Sequence, residues 1–169
     1  MKNKKGFTLI ELLVVIAIIG ILATIGLDSF ISAQARSRDA KRKSDLKEIG
    51  SALELFYSDY GSYPGGISGQ MSVCPYSAAG GTVCKWGEGE FSDGKTTYFK
   101  TLPKDSAAGS SYYYQPIAVD SVPNSGYQIF ARLENGQDSS IINLTSPSCG
   151  TAACNFAVTS PNTNPSASP

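Results

Sequence analysis

Residues 7–27 (FTLIELLVVIAIIGILATIGL) form an unbroken apolar run whose single charge is Glu11. At 1.5 Å of rise per residue, these 21 residues make a helix of ~31 Å, about the thickness of a bilayer's hydrocarbon core. Apolar character around the whole circumference suits lipid, because a helix on a small soluble core would keep a polar face. The run exceeds the roughly 7–15 residues of a secretory h-region, and no small-x-small cleavage site follows it. It is therefore expected to remain in the mature chain as a membrane-spanning helix.

Charge follows the same polarity. Residues 1–6 carry three lysines and no acid, and residues 36–48 carry six basic side chains against Asp39, Asp45 and Glu48. From residue 49 onward five basic residues meet nine acidic ones, a net of −4. The whole chain balances at zero, which provides no broad basic field for nucleic acid. Its lack of histidine excludes Ser-His-Asp and Cys-His catalysis and His-ligated zinc. No catalytic constellation, cofactor motif or metal site stands out, so an enzyme is not expected. The lysines of the leader favour a cytoplasmic N-terminus, and the basic residues after the apolar run pull against it.

Lys4-Lys5-Gly6-Phe7-Thr8-Leu9-Ile10-Glu11 resembles the class III signal of type IV prepilins and type II secretion pseudopilins. That resemblance implies cleavage between Gly6 and Phe7 by an aspartic prepilin peptidase, which then N-methylates Phe7. A glycine before the scissile bond lets the chain enter a narrow protease cleft without side-chain bulk. A carboxylate inside a bilayer costs about 2.5–3.5 kcal/mol, so Glu11 should be paired or functional; snorkelling to the headgroups is the plainer alternative. The resemblance implies that Glu11 meets the methylated terminal amine of a neighbouring subunit, which makes Phe7 and Glu11 assembly residues.

Helical spacing continues past the membrane, with Leu46, Ile49, Leu53, Phe56 and Tyr60 on one face. No proline precedes Pro64, and Gly61 supplies a stop, so one helix from Phe7 to about Tyr60 is expected. Residues 34–64 resemble the major pseudopilin and related pilins: a charged neck, an apolar stripe, then an aromatic-Gly-x-Tyr-Pro ending. The basic neck is expected to be a solvated helix face or to form ion pairs between packed subunits; nucleic-acid binding is the alternative, which its interleaved acids and lack of aromatic residues disfavour. Many relatives have proline at the 22nd residue after the cut; here it is Asp28, expected near the outer interface in water. Gly20 and Gly26 are then the helix's weak points.

Residues 65–97 read as an ordered Gly/Ser-rich loop, and 98–105 resemble the segment leading into the pseudopilin sheet. Strands are expected at 112–119, 127–133 and 139–144, with turns at Asn124-Ser125-Gly126 and Asn135-Gly136. A three-stranded meander would cover the helix stripe and bury a face of each element. Cys74, Cys84, Cys149 and Cys154 lie outside the membrane and suggest a disulfide framework. Three connectivities are open, and the local pairs Cys74–Cys84 and Cys149–Cys154 are preferred. Their spacing does not fit a zinc ribbon. Some major pseudopilins hold calcium in a C-terminal loop, which draws attention to Glu88, Glu90, Asp93, Glu134 and Asp138. The DxDxDG spacing is absent, solvated loop acids are the plainer reading, and no metal site is assigned.

The expected fold class is α+β, a pilin-like lollipop: a long N-terminal helix, transmembrane in its first half, packed on a small antiparallel sheet head. Its divisions are a leader at 1–6, a transmembrane half-helix at 7–27, an outer half-helix at 28–61, a head at 62–160 and a disordered tail at 161–169. The resemblance implies a filament subunit of a type IV pilus or pilus-like structure. The alternatives are the major pseudopilin of a type II secretion system and, in a different class, a monomeric membrane-anchored surface-binding protein. Implied partners are further copies of the chain, prepilin peptidase, an assembly platform with its ATPase, and the cytoplasmic membrane before assembly. The precursor would be a single-pass membrane protein, and the assembled form a surface filament.

Overall fold

The structure, a computed structural model, describes residues 6–77 and 81–166, with the backbone alone at 25–28. Most of the expected leader, the side chain of Asp28 and the surroundings of Gly26, and the last three residues of the tail lie outside the described residues. The chain divides into two compact units, residues 1–37 and 38–169. One helix, α1 (Leu9–Tyr60), contributes to both.

In the first unit, every side chain described from residue 6 to 24 is exposed, Phe7 to 84%. Among the described residues nothing covers the apolar circumference of α1 here, and the segment is long and apolar enough to cross a membrane.

In the second unit the outer part of α1 lays Leu46, Ile49, Leu53 and Phe56 into the core, each fully buried. The stripe ends one turn earlier than its spacing suggests. Tyr60 is 41% exposed, stacked on Phe56 at 4.5 Å, and its hydroxyl donates to Asp93 at 2.7 Å. Gly61 closes the helix in the left-handed region (φ 69°), where its N–H returns to the Tyr57 carbonyl at 2.7 Å.

The segment read as a loop carries two small antiparallel ribbons. The first pairs β1 (Gly66–Ile67) with β2 (Gln70–Met71), and the second pairs β3 (Phe91–Ser92) with β4 (Thr97–Phe99). They are too short to leave a periodic signature, yet they place Met71, Val73, Phe91 and Leu102 against α1. The principal sheet has the order β5 (Tyr113–Val119), β6 (Val122–Ala131), β7 (Phe156–Thr159), all antiparallel. Tyr114, Tyr127 and Ile129 face the helix and complete the core.

Two expectations about this sheet need correction. The β5–β6 hairpin turns at Asp120-Ser121, both at positive φ (52° and 65°), as a two-residue hairpin of the I′ kind requires. Asn124-Ser125-Gly126 instead forms an irregularity inside β6, where Ser125 Oγ accepts the Val119 N–H at 2.9 Å. The third strand is Phe156–Thr159, and 139–144 stays outside the sheet. Asp138 is drawn to Lys43 of α1 at 2.7 Å and Ser140 Oγ also contacts that ammonium, which turns the start of 139–144 toward the helix. The chain then reverses through the loop closed by Cys149 and Cys154 and returns beside β6.

The tail departs from expectation too. Asn162 Nδ2 donates to the Ser125 carbonyl (2.8 Å), and Gln128 Nε2 donates to the Asn164 carbonyl (2.7 Å), so residues 161–166 lie bonded to β6. Asn and Ser side chains that make a tail look disordered by composition serve here as its hydrogen-bonding groups.

Candidate processing and assembly segment

Gly6, Phe7 and Thr8 precede the helix in non-helical, exposed backbone. The Gly6–Phe7 peptide bond therefore lies in exposed chain ahead of the helix. Thr8 and Glu11 then start the helix with a reciprocal cap. Glu11 Oε2 accepts the Thr8 N–H (2.9 Å) and the Thr8 hydroxyl (2.7 Å), and Thr8 Oγ1 accepts the Glu11 N–H (3.3 Å). This T-x-x-E box satisfies orphan donors of the first turn. Glu11, singled out in the sequence for assembly, thus has a local partner as well. The box was legible in the sequence, since Thr8 stands three residues before Glu11 ahead of an apolar run.

From residue 38 the charged neck lies in the second unit, and it is solvated on one side only: Arg36, Lys41, Lys47 and Glu48 are exposed, whereas Asp39, Arg42 and Asp45 are buried. Arg42 is only 1% exposed. Its Nε and Nη2 form a fork on Asp105 (2.7 and 2.8 Å), Nη1 reaches Asp39 (2.8 Å), and Nη2 also reaches Glu134 (2.7 Å). Asp39 in turn accepts the backbone N–H groups of Glu134 (2.9 Å) and Asn135 (2.8 Å). Arg38 adds a bond from Nε to Glu134 (2.9 Å), and Lys43 binds Asp138. Three of the neck's six cations, Arg38, Arg42 and Lys43, are therefore paired with the chain's own acids at 105, 134 and 138, while Arg36, Lys41 and Lys47 stay exposed. Nothing in local spacing pairs Arg42 with a residue 63 positions away, so sequence reasoning missed this clasp.

Acids on the helix make a second set of ties. Asp45 accepts from Tyr112 (2.7 Å), Glu54 from Tyr63 (3.0 Å) and Asp59 from Tyr98 (2.7 Å). Burial, then the bond to Asp45, push the Tyr112 hydroxyl well above its ordinary range.

Four of the five acids considered for calcium serve other donors. Hydrogen bonding from Arg38, then from Arg42, holds the Glu134 carboxyl down at about 2. The bond from Lys43 lowers Asp138. Asp93 is held at about 2 by the Thr96 N–H first, then by the Tyr60 hydroxyl and the Lys95 N–H. Glu90 accepts the Thr97 hydroxyl at 3.0 Å. Among the described residues, no three His, Cys, Asp or Glu groups converge in a manner that could hold a metal ion.

The cysteines form two disulfides, Cys74–Cys84 and Cys149–Cys154. The first sits on the main core beside Met71 and Val73; the second packs with Phe130 in a smaller cluster behind the sheet.

Residues 1–27 match the prokaryotic N-terminal methylation motif. The type IV major pilin protein PilA of Myxococcus xanthus is 49% identical over 61 residues, covering 36% of this chain and 28% of that protein. The type II secretion system core protein G of Pseudomonas aeruginosa is 30% identical over 115 residues, or 68% of this chain and 76% of that relative. The type IV wide pilus major component PilA4 of Thermus thermophilus is 38% identical over 73 residues, covering 43% and 56%. The chain thus spans less than two thirds of the two pilins and most of the secretion protein. No solved structure matches the chain significantly.

Proposed function

The chain belongs to the family of type IV pilins and type II secretion pseudopilins, and from that premise we propose that it is a structural subunit of a type IV pilus or pilus-like surface filament. One observation carries the reading: an uncovered apolar helix follows directly on an exposed, non-helical Gly6–Phe7 bond. A surface of that kind needs lipid while the subunit is stored and other helices once it is assembled.

In this scheme the precursor spans the cytoplasmic membrane with its N-terminus inside. Prepilin peptidase hydrolyses the Gly6–Phe7 bond and methylates the new amine of Phe7. The cap at Thr8 uses the Phe7–Thr8 amide, so cleavage leaves it intact. The new ammonium then offers a counter-charge to Glu11 of a neighbouring copy. Either charge alone in an apolar bundle carries a heavy desolvation penalty, and their pairing selects one register. An assembly platform and its ATPase would lift the subunit out of the membrane, leaving the clasped and disulfide-tied unit outside.

A second reading, the major pseudopilin of a type II secretion system, is favoured by the alignment to core protein G, which reaches into the second unit and covers 76% of that relative. Mass spectrometry of the N-terminus and immunogold electron microscopy of sheared surface material test both. Methylated Phe7 and labelled surface filaments are expected for the pilus. Methylated Phe7, no surface filaments and a secretion defect on deletion would support the pseudopilin. A chain still beginning upstream of Phe7 in assembled material would overturn both.

A further inference from the structure

Asn135-Gly136 lies where the chain is tied to α1 on both sides. Before it, the N–H groups of Glu134 and Asn135 bind Asp39 at 2.9 and 2.8 Å. After it, Asp138 accepts from Lys43 at 2.7 Å. Between these ties the chain turns, and the Asp138 N–H donates to the Asn135 carbonyl at 3.0 Å.

Within the turn, one residue supplies a polarised carbonyl and the next a free nitrogen. The Asn135 side-chain carbonyl accepts the Gln137 N–H at 3.3 Å, which draws electrons from Cγ. Neither Asn135 Nδ2 nor the Gly136 N–H has an acceptor among the described residues. Gly136 is exposed, and a Cβ built there would find nothing within 4 Å. Glycine also leaves its own nitrogen clear of side-chain bulk.

The other described asparagines lack this combination. Asn155 is bonded through both side-chain atoms to Leu133 (2.6 and 3.0 Å) and precedes Phe156. Asn162 gives its amide to the Ser125 carbonyl at 2.8 Å. Asn164 precedes Pro165, which has no N–H. Asn124 and Asn143 precede residues whose side chains hinder the nitrogen.

We propose that Asn135 is a self-modification site, converted through a cyclic imide to aspartate and isoaspartate. The Gly136 nitrogen gives its proton to solvent and bonds to Asn135 Cγ. The Cγ–Nδ2 bond breaks, and Nδ2 takes up a proton and leaves as ammonia. Water then opens the ring and returns a proton to the Gly136 nitrogen. Opening at Cγ leaves aspartate, whereas opening at the main-chain carbonyl carbon leaves isoaspartate, with Cβ and Cγ in the backbone path. Either product adds a carboxylate beside a clasp in which Asp39, Asp105 and Glu134 already face Arg38 and Arg42. Isoaspartate also lengthens the main chain between the Asp39 and Lys43 ties. The clasp therefore loosens as the modified fraction grows. This site is independent of the N-terminal segment and of the choice between pilus and pseudopilus.

The test ages the purified full-length chain in detergent at mildly alkaline pH and samples it over days. Peptide mapping by mass spectrometry should show a gain of about 1 Da at residue 135 before any other asparagine. An isoaspartyl methyltransferase with a labelled methyl donor should label the same peptide. Gly136→Ala fits the open position, so the fresh protein should keep its urea midpoint and near-UV circular dichroism. Its conversion should be about tenfold slower, because the added methyl crowds the nitrogen. The urea midpoint of the aged wild-type chain should fall in proportion to conversion, while aged Gly136→Ala keeps its own. No conversion at residue 135, faster conversion at another asparagine, wild-type conversion in folded Gly136→Ala, or an unchanged midpoint in converted protein would each overturn the proposal.

Discussion

Replacing Arg42 by methionine should destabilise the 38–169 unit by about 3–5 kcal/mol, the usual effect of removing one partner of a buried ion pair. The loss can be located. After the substitution Asp39 keeps two backbone donors, from Glu134 and Asn135, and Glu134 keeps Arg38. Asp105, buried with Arg42, keeps among the described residues only the Ala107 N–H at 2.9 Å. The destabilisation is therefore concentrated at one uncompensated carboxylate. Arg42→Lys should fall between, because an ammonium restores charge without the two-pronged fork. Adding Asp105→Leu to Arg42→Met should recover much of the loss, since an apolar pair in place of a buried ion pair is often neutral. Urea denaturation of the full chain in detergent, followed by near-UV circular dichroism, measures all four proteins. A change below about 0.5 kcal/mol for Arg42→Met would refute the reasoning, because that is the range of unconnected surface substitutions.

Acid should loosen the same unit. The folded Glu134 carboxyl lies at about 2 against its ordinary 4.5, and Asp93 at about 2 against 3.8, so their contribution is complete above these ordinary values. It should disappear as pH falls from about 4.5 toward 2, visible as a falling thermal midpoint that Glu134→Gln makes less steep. Opening the disulfides by Cys→Ser pairs should lower stability by about 3 kcal/mol for Cys74–Cys84 and about 2 kcal/mol for Cys149–Cys154, following loop length, as denaturant midpoints would record. Gly6→Val should block leader removal without altering the fold, because no atom lies within 4 Å of a Cβ built there; intact-mass spectrometry and circular dichroism read the two effects separately.

The parts of the fold written in local sequence were readable. The length and uniformity of 7–27 announced an apolar helix long enough to cross a membrane, and 3.6-residue spacing ran from Leu46 to Phe56 before Gly61 closed α1. Alternation in 127–133 marked the inner half of β6. What local spacing lacks is information about distant partners. Asp138 could not be seen to leave for Lys43, and so 139–144 reads as the third strand that Phe156–Thr159 in fact supplies. Arg42 looked like one more solvated cation until the fold brought Asp105 and Glu134 to it. The ribbons within 65–97 are two or three residues per strand, below the length at which any period shows. For the N-terminal segment Gly6, Phe7 and Glu11 carried the resemblance, and the T-x-x-E spacing of Thr8 and Glu11 held the signal for the cap that the sequence reading passed over.

Glu11 is where folding and assembly can be separated. Removing its carboxylate takes away the reciprocal cap, worth about 1 kcal/mol at the helix start, and relieves about 2.5–3.5 kcal/mol of insertion penalty. Neither effect reaches the clasp or the disulfides. Cells carrying Glu11→Ala as the sole copy should therefore insert the chain and cleave it after Gly6, yet build no filaments, because the incoming terminal ammonium lacks its partner. The decisive measurement is electron microscopy of sheared material from those cells, with leader removal checked by mass. Processed subunits without filaments are the expected result, and filaments of normal number and length would contradict assembly through Glu11.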